Sequence, residues 1–380
     1  MEKVKNLVVG AGLSGATIAR RIAELKHESV LVIDRRNHIA GNAFDYVDDE
    51  TGIIVHRYGP HVFHTNDKEV WDFLSRFTEW HPFFYKVKAF IDGKLITIPF
   101  NFDSIEQAFP HNFAKRLEEK LLDNFEFNTK VSILDLEKYK DNDLKFLKQY
   151  IYNKVYKGYS LKQWGTAFDD LDESVTSRVP IYISRDDRYF LDKYQAIPKF
   201  GYTKLIENIL KDDLIEIRLN TDFLHYKSVY EYENLYYTGS LDELFDYSAG
   251  ALPYRSLDLQ FKKLDREKYQ DFAQVNYPEN FDFTRICEYK HYLNQTSSKT
   301  VISVEYPCDF ERDLNERFYP IENKKNESLY KLYVGYLRDQ NWKNGQKSSK
   351  KYINILGRLG LYKYLNMDQV VRKALDMTKF

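Results

Sequence analysis

Three glycines and one aspartate near the start of the chain have the residue types and the spacing that bind a dinucleotide. Gly10, Gly12 and Gly15 follow one another closely, and Asp34 comes after them at the end of an apolar run. Glycines in this pattern permit a tight turn, the close approach of a pyrophosphate and the packing of a helix on a strand. An acidic residue about 20 positions further on is suited to bind a ribose hydroxyl.

The segments around these residues have the order needed to position them. Residues 4–9 form an apolar run before the glycines, residues 16–25 read as an amphipathic helix, and the second apolar run, Val30–Ile33, precedes Asp34. The start of the helix supplies unpaired N–H groups and a positive dipole end to phosphates. This strand–helix–strand order predicts a dinucleotide-binding α/β domain.

The segment after Asp34 favours FAD over a nicotinamide dinucleotide. A second glycine-bearing turn, Gly41-Asn42, follows the acidic strand, which is typical of flavoproteins similar to the glutathione-reductase group. The sequence has no second GxGxxG motif to hold a separate nicotinamide cofactor. We therefore expect FAD as the bound dinucleotide.

The length, amino-acid composition and charge limit which kinds of protein this chain can be. The 380 residues are 43% hydrophobic and 30% charged, and the formal net charge is −1. The length predicts two or more lobes, and the balanced charge argues against general binding of nucleic acid or membrane surfaces. Cys287 and Cys308 are expected to be reduced thiols. The apolar start resembles a signal peptide but contains the phosphate loop, so we expect a cytoplasmic protein without a membrane span.

Further along the chain, helical and strand-like patterns alternate. Residues 87–99 predict a hairpin that turns at Asp92-Gly93, and residues 104–157 read as helical with a break at Pro110. Strand-like segments return at residues 181–184, 232–237, 257–261, 284–289 and 300–305. We expect an α/β fold with a Rossmann-like FAD-binding domain, an inserted helical domain and an antiparallel β-sheet domain.

These domains are expected to be discontinuous in sequence. The predicted FAD-binding domain comprises residues of about 1–80, 200–250 and 330–380, and the helical insertion comprises about 102–165. The predicted antiparallel sheet and substrate region comprises about 81–101, 178–199 and 251–329.

Several motifs run in order along nearly the whole chain. The longest are HRYGPHVFHTN at residues 56–66 and KGYSLKQWG at residues 157–165. Shorter ones lie at residues 35–44, 99–101, 201–206, 237–239, 254–257, 284–286, 305–307, 318–320 and 357–364. Together these motifs closely resemble those of the UDP-galactopyranose mutase family.

The resemblance implies an isomerase that interconverts UDP-galactopyranose and UDP-galactofuranose for cell-surface polysaccharide synthesis. The reaction has no net redox change but requires reduced FAD, whose N5 is the nucleophile and forms an adduct with the sugar. The protein is then expected to supply positioning and electrostatics, with no nucleophilic side chain of its own. The resemblance also implies a homodimer.

It further implies which charged side chains act on the substrate. Arg178 and Arg285 match the two arginines that clamp the diphosphate, where a guanidinium fork forms paired, charge-assisted hydrogen bonds. Arg255 is a third candidate, and His64 is expected beside the flavin and the sugar. No metal site is expected at the histidines, since they lack carboxylate or cysteine partners at suitable spacing.

Aromatic residues complete the implied substrate site. Tyr189, Tyr319 and Tyr364 match tyrosines that donate hydrogen bonds to the phosphates. Tyr159 and Trp164 are expected to contact the uracil and the sugar.

The predicted cofactor contacts combine the glycine motif with residues implied by the resemblance. They are Gly10, Gly12, Leu13, Ser14, Gly15, Asp34, Arg35, Gly41, Asn42, His61, Gly357 and Arg358.

Four features need the structure for their interpretation. The polar residues 165–177 are expected to form a lid that brings Arg178 onto the substrate. Ala40 replaces a glycine common in relatives, and is tolerated only if its backbone angle is ordinary. Residues 83–86 differ from relatives beside the sugar, and Asn366 replaces an acidic residue.

Other functions stay open. The same chemistry on an N-acetylated or deoxy hexose, or on another nucleotide, uses similar motifs. A flavin oxidoreductase would use an electron acceptor and would not depend on previously reduced flavin. A flavin-binding homologue without activity is the third alternative.

Overall fold

The computed structural model describes residues 2–165, 180–345 and 352–379. These residues form the strands β1 (Glu2–Val9), β2 (Val30–Ile33), β3 (Asp45–Val47), β4 (Ile54–His56), β5 (Phe63–Thr65), β6 (Trp80–Pro82), β7 (Val87–Ile91), β8 (Lys94–Ile98), β9 (Lys130–Val131), β10 (Ile181–Tyr182), β11 (Tyr194–Pro198), β12 (Ile215–Arg218), β13 (Tyr230–Tyr237), β14 (Tyr254–Leu264), β15 (Gln274–Asn276), β16 (Arg285–Glu288), β17 (Thr300–Asp309), β18 (Tyr319–Pro320) and β19 (Tyr352–Ile355).

The helices of the described residues lie between these strands. They are α1 (Leu13–Lys26), α2 (Lys68–Ser75), α3 (Phe102–Ala108), α4 (His111–Asn124), α5 (Asn142–Ile151), α6 (Gly158–Trp164), α7 (Tyr202–Leu210), α8 (Phe223–Tyr226), α9 (Leu241–Leu244), α10 (Lys324–Gly345), α11 (Gly357–Gly360) and α12 (Met367–Met377). A π-helical turn, Tyr152–Lys157, joins α5 to α6.

A parallel sheet of five strands organises the first region, in the order β12-β2-β1-β13-β19. All four residues of β2 are buried, as expected for a parallel strand covered on both faces. Helix α1 packs against α7 and α12. The predicted Rossmann-like fold is confirmed, and the turns after β1, β2 and β13 meet at the carboxyl edge, where open α/β sheets bind ligands.

A mixed sheet of seven strands organises the second region, in the order β18-β14-β17-β16-β15-β7-β8. The neighbouring strands are antiparallel except for β15 and β7, which are parallel. The predicted hairpin is confirmed as β7 and β8. At its turn Asp92 and Gly93 have φ of 50° and 76°, as a two-residue hairpin turn with positive φ requires.

The helices α3 to α6 lie in the sequence between β8 of the mixed sheet and β12 of the parallel sheet. Asn101 caps α3 by accepting from the backbone N–H of Ser104, and Asp141 caps α5 through Asp143 and Leu144. The side chains of Leu117, Leu121 and similar apolar residues are buried in the same core as the sheets. The sequence predicts helices here, and the bounds of the separate domains stay a prediction.

The sequence does not predict every element correctly. The pattern of residues 66–80 predicts a single helix, whereas the structure has the shorter α2 followed by β6. Strands β12 and β19 and helix α10 were not predicted. Over the described ranges, no helix has both the length and the apolar character needed to cross a membrane.

Candidate functional site

A cavity of about 240 Å³ opens at the carboxyl edge of the parallel sheet. All twelve residues predicted to contact the cofactor line it: Gly10, Gly12, Leu13, Ser14, Gly15, Asp34, Arg35, Gly41, Asn42, His61, Gly357 and Arg358. Other residues that line the cavity were not predicted from the sequence, including Thr221, Asp222, Thr238 and Glu243. The structure brings the predicted set together, and the contact of each with a cofactor stays a prediction.

The three motif glycines are needed for different physical reasons. A Cβ on Gly15 would lie 1.9 Å from the carbonyl oxygen of Gly10, so α1 can pack on β1 only without a side chain there. Gly10 has φ of +103°, and its Cβ would lie 2.0 Å from Oγ1 of Thr238. A Cβ on Gly12 would have no protein atom closer than 3.7 Å. Internal packing therefore does not require Gly12, and the space beside it is open to a ligand that approaches the backbone.

The start of α1 is suited to bind an anion. Gly12 occupies the N-cap position and provides no side chain to accept from the first turn. The opening N–H groups of a helix lack partners within the helix, and the dipole makes this end positive. The cavity borders Leu13, Ser14 and Gly15, which form this first turn. Phosphates can therefore bind without a lysine or an arginine at this position.

Asp34 is fixed at the end of β2 by two backbone hydrogen bonds. Its Oδ2 accepts from the N–H of Ala11 at 2.8 Å, and its Oδ1 accepts from the N–H of Arg36 at 2.9 Å. The carboxylate is buried and borders the cavity. A ribose can be recognised by a carboxylate held rigidly in this way.

Ala40 departs from the expectation of an ordinary backbone angle. Its φ is 72°, in the left-handed region that an L-residue with a Cβ adopts at a cost of about 1 kcal/mol. The methyl group is buried against the core. The turn is nevertheless formed, since the N–H of Ala40 donates to the carbonyl of Ala11 at 2.9 Å.

Asn366 begins the last helix. It occupies the N-cap of α12, and its N–H donates to Oε1 of Gln369 at 2.9 Å. Asparagine is among the most favourable N-cap residues, so the replacement of an acid here preserves the helix start.

Two neighbouring histidines are held neutral beside the cavity. Burial lowers the pKa of His56 to about 3, and its Nδ1 accepts from the backbone N–H of His61. Burial also lowers the pKa of His61 to about 3, with further lowering by His56, Arg358 and Arg285. Among the described residues, Nδ1 of His61 has no hydrogen-bond partner. His61 therefore offers a neutral, polar ring to a ligand in the cavity.

His64 lies on the next strand in a fixed orientation. Its Nδ1 is 2.8 Å from Oδ2 of Asp192, and its ring stacks on Phe190 with centroids 3.6 Å apart. Asn66 donates to the other oxygen of Asp192 at 2.7 Å. The hydrogen bond from His64 lowers the pKa of the Asp192 carboxyl, against the effect of burial. In a neutral ring, this hydrogen bond would place the proton on Nδ1, towards Asp192, and leave Nε2 as the acceptor.

Arg285 stands at the start of β16 in a buried ion pair. Its Nε and Nη2 donate to Oε2 of Glu305 on β17, at 2.7 Å and 2.6 Å. Thr284 donates to the other carboxylate oxygen at 3.1 Å. Burial acts to lower the pKa of Arg285, but Glu305 more than offsets this and the pKa lies well above its usual value. Sequence reasoning included Glu305 only as part of a motif and missed it as the partner of Arg285.

Aromatic rings from three distant segments meet next to this pair. Trp164, Tyr319 and Tyr364 have ring centroids 5.2–5.9 Å apart. The guanidinium of Arg358 lies 5.0 Å from the ring centroid of Tyr364 and 5.7 Å from that of Tyr319. Arg358 therefore belongs to the cofactor cavity and to this aromatic group, so the two sites are adjacent.

Two further tyrosines lie close by. Burial raises the pKa of Tyr159 well above its usual value, and Arg285 and Glu305 are among the charges it senses. Tyr189 packs against Tyr85, with ring centroids 5.8 Å apart. The Tyr159 hydroxyl therefore stays protonated near neutral pH, and both side chains can donate hydrogen bonds to a ligand.

Arg255 is engaged by protein acceptors. Its Nε and Nη2 donate to the carbonyls of Gln163 and Lys162, each at 3.0 Å, and Nη1 pairs with Asp309. These contacts hold the C-terminus of α6 on the mixed sheet, so the described geometry gives Arg255 a supporting position. Its contact with substrate stays a prediction.

One predicted catalytic residue, Arg178, lies outside the described part of the chain. Residues 166–179 are not among the described residues, so Arg178 and nearly all of the predicted lid fall there. Their roles stay predictions.

Comparisons with known proteins agree with this geometry. The sequence profile described as UDP-galactopyranose mutase matches residues 154–364, and that of the NAD(P)-binding Rossmann-like domain matches residues 8–77. The first match covers the aromatic group and Arg285. The second covers the glycine motif and Asp34.

Three relatives match nearly the whole chain. UDP-galactopyranose mutase of Mycoplasma genitalium is 36% identical, covering 96% of this chain and 91% of the relative. Probable UDP-galactopyranose mutase of Klebsiella pneumoniae is 34% identical, covering 97% and 92%. The dTDP-fucopyranose mutase of Escherichia coli is 33% identical, covering 98% and 97%.

A solved structure has the same fold. The crystal structure of reduced UDP-galactopyranose mutase superposes with a TM-score of 0.73 at 15% identity, covering 100% of this chain and 93% of the other. At this identity the likeness concerns the fold alone.

Proposed function

The chain belongs to the UDP-galactopyranose mutase family, a family of isomerases, and from this premise we propose that it interconverts UDP-galactopyranose and UDP-galactofuranose with bound, reduced FAD. The observation that carries the proposal is the position of Arg358. Arg358 lines the dinucleotide cavity, and its guanidinium, held by the backbone carbonyls of Phe318 and Leu365, lies against Tyr319 and Tyr364. A cofactor ring and a nucleotide-sugar can therefore meet at this residue.

The residues of the cavity fit a flavin dinucleotide. Gly12 leaves an open cradle at the start of α1, Asp34 is fixed for a ribose, and Nδ1 of His61 has no partner within the described part of the chain. Reduced FAD, when bound, would supply the nucleophile and the electron pair for a sugar rearrangement without net redox change.

The side chains of the mixed-sheet region have separate proposed roles. Arg285 binds the diphosphate and stabilises the charge that develops on departing UDP. Tyr189, Tyr319 and Tyr364 donate hydrogen bonds to the phosphates. Tyr159 and Trp164 contact the uracil and the sugar, and Trp164 excludes water. Arg178 is proposed as the second diphosphate ligand.

His64 is proposed to hold a proton-accepting nitrogen towards the sugar. Asp192 fixes the tautomer through Nδ1, and the stack on Phe190 fixes the plane of the ring. A neutral imidazole in this orientation can accept a hydroxyl proton and return it.

A second candidate substrate is a dTDP-linked deoxy sugar. The relative named dTDP-fucopyranose mutase is about as similar to this chain as the relatives named for UDP-galactopyranose. In the divergent segment, the ring of Tyr85 is buried and contacts Tyr189, a proposed phosphate ligand. We propose that this segment sets which of the two sugars is accepted.

Product analysis tests the function. The purified FAD-loaded protein is incubated separately with UDP-galactofuranose and dTDP-fucofuranose, with and without dithionite. The proposal predicts conversion of the UDP-sugar to its pyranose form only with dithionite. Faster conversion of the dTDP-sugar would show that dTDP-fucofuranose is the preferred substrate. Oxidation of either sugar with consumption of oxygen would contradict both proposed mutase activities.

We also propose that the protein is a cytoplasmic homodimer. Light scattering of the purified protein tests the dimer, and cell fractionation tests the compartment.

A further inference from the structure

Lys162 has an unusual set of hydrogen-bond partners. Its side chain extends from α6, and Nζ lies within hydrogen-bond distance of the backbone carbonyl oxygen of Tyr277 and, at 3.1 Å each, of those of Glu279, Phe281 and Phe283. The four acceptors belong to alternate residues of one loop. We call these four oxygens the carbonyl ring.

The carbonyl ring is a cation site by its chemistry. An ammonium group has three N–H donors, and the four carbonyl oxygens offer an acceptor to each of them. A single carboxylate in an ordinary ion pair would leave at least one of these donors without a protein acceptor. Converging backbone carbonyls can replace the hydration shell of a monovalent cation. Buried carbonyls also need donors, so an empty ring would carry the cost of unpaired acceptors.

The ring lies in the loop that leads directly to Arg285. The loop joins β15 to β16, and it is closed by a hydrogen bond from the N–H of Tyr277 to the carbonyl of Thr284 at 2.8 Å. Thr284 in turn donates to Glu305, the partner of Arg285. The position of the loop therefore sets the position of the guanidinium.

Helix α6, which carries Lys162, also carries two proposed substrate contacts, Tyr159 and Trp164. Independent contacts also bring this helix onto the loop. A Cβ on Gly158 would lie 2.2 Å from the carbonyl oxygen of Pro278, so the approach is too close for any other residue. In the π-helical turn that leads into this helix, Lys154 pairs with Glu279 at 2.7 Å.

We infer that the carbonyl ring is a monovalent-cation site occupied by the chain's own ammonium group, and that Lys162 is a positioning residue. It fixes the helix of Tyr159 and Trp164 to the loop of Arg285, so that the aromatic and cationic sides of the substrate site keep one geometry. This role rests on the proposed function, whereas the cation site itself does not.

Replacement of Lys162 by a small residue tests the inference. In FAD-loaded Lys162→Ala, the ring is vacated and a small cation can enter. UDP affinity is measured by isothermal titration calorimetry, and Tm by unfolding, in potassium or tetramethylammonium chloride at equal ionic strength. We expect UDP to bind about tenfold or more weakly in tetramethylammonium, from the loss of charge-assisted hydrogen bonds. Potassium should restore most of the affinity and raise Tm, with no such effect on the wild type.

Two variants complete the test. Lys162→Met keeps the apolar stem and blocks the ring, so it should bind UDP weakly in either salt. Lys157→Ala removes an exposed lysine next to the same helix and should behave as the wild type. If Lys162→Ala is insoluble, wild-type affinity of Lys162→Met for UDP would overturn the positioning role.

The outcomes separate the inference from the proposed function. An equal Tm of Lys162→Ala in both salts would overturn the cation site. If the wild type fails to bind UDP, the proposed function fails, and the potassium effect on Tm still decides the cation site.

Discussion

The parallel-sheet region and the mixed-sheet region build their sites in different ways. Around the cavity, the decisive features are glycines and backbone N–H groups close together in the chain. In the mixed-sheet region, the decisive groups are side chains brought together from distant segments, such as Arg285 with Glu305 and Trp164 with Tyr364. One site is made by backbone shape and the other by side-chain contacts.

This difference indicates how the two sites can change. A backbone cradle has no room for a Cβ at Gly10 or Gly15 but depends little on side-chain identity elsewhere, so it can stay the same while other residues change. A side-chain site can accept a different sugar through a few substitutions while the cradle stays intact. The similar identity to mutases named for two different sugars fits this view.

The largest expected effect tests the backbone cradle. Gly15→Ala places a Cβ 1.9 Å from a carbonyl oxygen of the same loop. We expect a loss of at least about 3 kcal/mol in the free energy of unfolding, since neither backbone can move freely. Flavin content after purification should fall strongly. The measurements are denaturant unfolding and the flavin absorbance of the purified protein.

Gly335→Ala is the matched control. This glycine lies within α10, and a Cβ added to it would meet no atom within 4 Å outside the helix's own backbone, so alanine should stabilise the helix by about 0.5–1 kcal/mol. Equal effects of the two substitutions would contradict the distinction between packed and open glycines.

The second effect tests the side-chain site. Glu305→Gln removes the charge that balances buried Arg285, and we expect destabilisation of about 2–3 kcal/mol with weakened UDP binding. Flavin content should stay close to that of the wild type. The measurements are unfolding and calorimetry with UDP, with the exposed Glu50→Gln as a control of little effect. Loss of flavin along with UDP would show that the two sites are not separable.

The third effect concerns pH and the histidines beside the cavity. The pKa of His56 is about 3 in the folded state and about 6.5 in the unfolded state, so only the unfolded chain gains a proton between these values. Stability from this group is fully present above pH 6.5 and is lost as the pH falls towards 3. At pH 5 the loss from His56 should be about 2 kcal/mol.

His56→Gln isolates this contribution. The variant keeps an acceptor for the N–H of His61 and does not titrate in this range. Unfolding at pH 7.5 and at pH 5 should show a smaller difference for the variant. An equal change in the free energy of unfolding between the two pH values in both proteins would show that His56 does not contribute to the pH dependence.

The smallest effect concerns Ala40. Since its φ is 72°, Ala40→Gly should stabilise the protein by about 0.5–1 kcal/mol, after the added freedom of the unfolded chain is counted. Ala43→Gly, in the same turn without a positive φ, should destabilise instead. Unfolding of both variants checks the opposite signs.

The sequence predicted the features that depend on local order. The glycine loop, α1 and Asp34 could be recognised because each step of the pattern follows the last along the chain. The hairpin of β7 and β8 was predicted for the same reason. Resemblance extended the prediction to Gly357 and Arg358, and both line the cavity.

Features that depend on topology were missed. Asp192 is far from His64 in sequence, and the pairing of β11 with β5 brings them together. Glu305 reaches Arg285 only through the pairing of β16 with β17. Strand β12 was missed because it lies at the sheet edge and its side chains do not form a continuous buried run.

A UDP titration of FAD-loaded Arg285→Ala beside the wild type, followed by flavin absorbance and calorimetry, tests whether Arg285 binds UDP next to the flavin. We expect equal flavin content in both proteins, with UDP affinity reduced by roughly ten- to a hundredfold in the variant. We also expect UDP to perturb the flavin spectrum of the wild type, because the two sites adjoin at Arg358. Wild-type UDP affinity in Arg285→Ala, or a spectrum that UDP leaves unchanged, would contradict this placement of UDP.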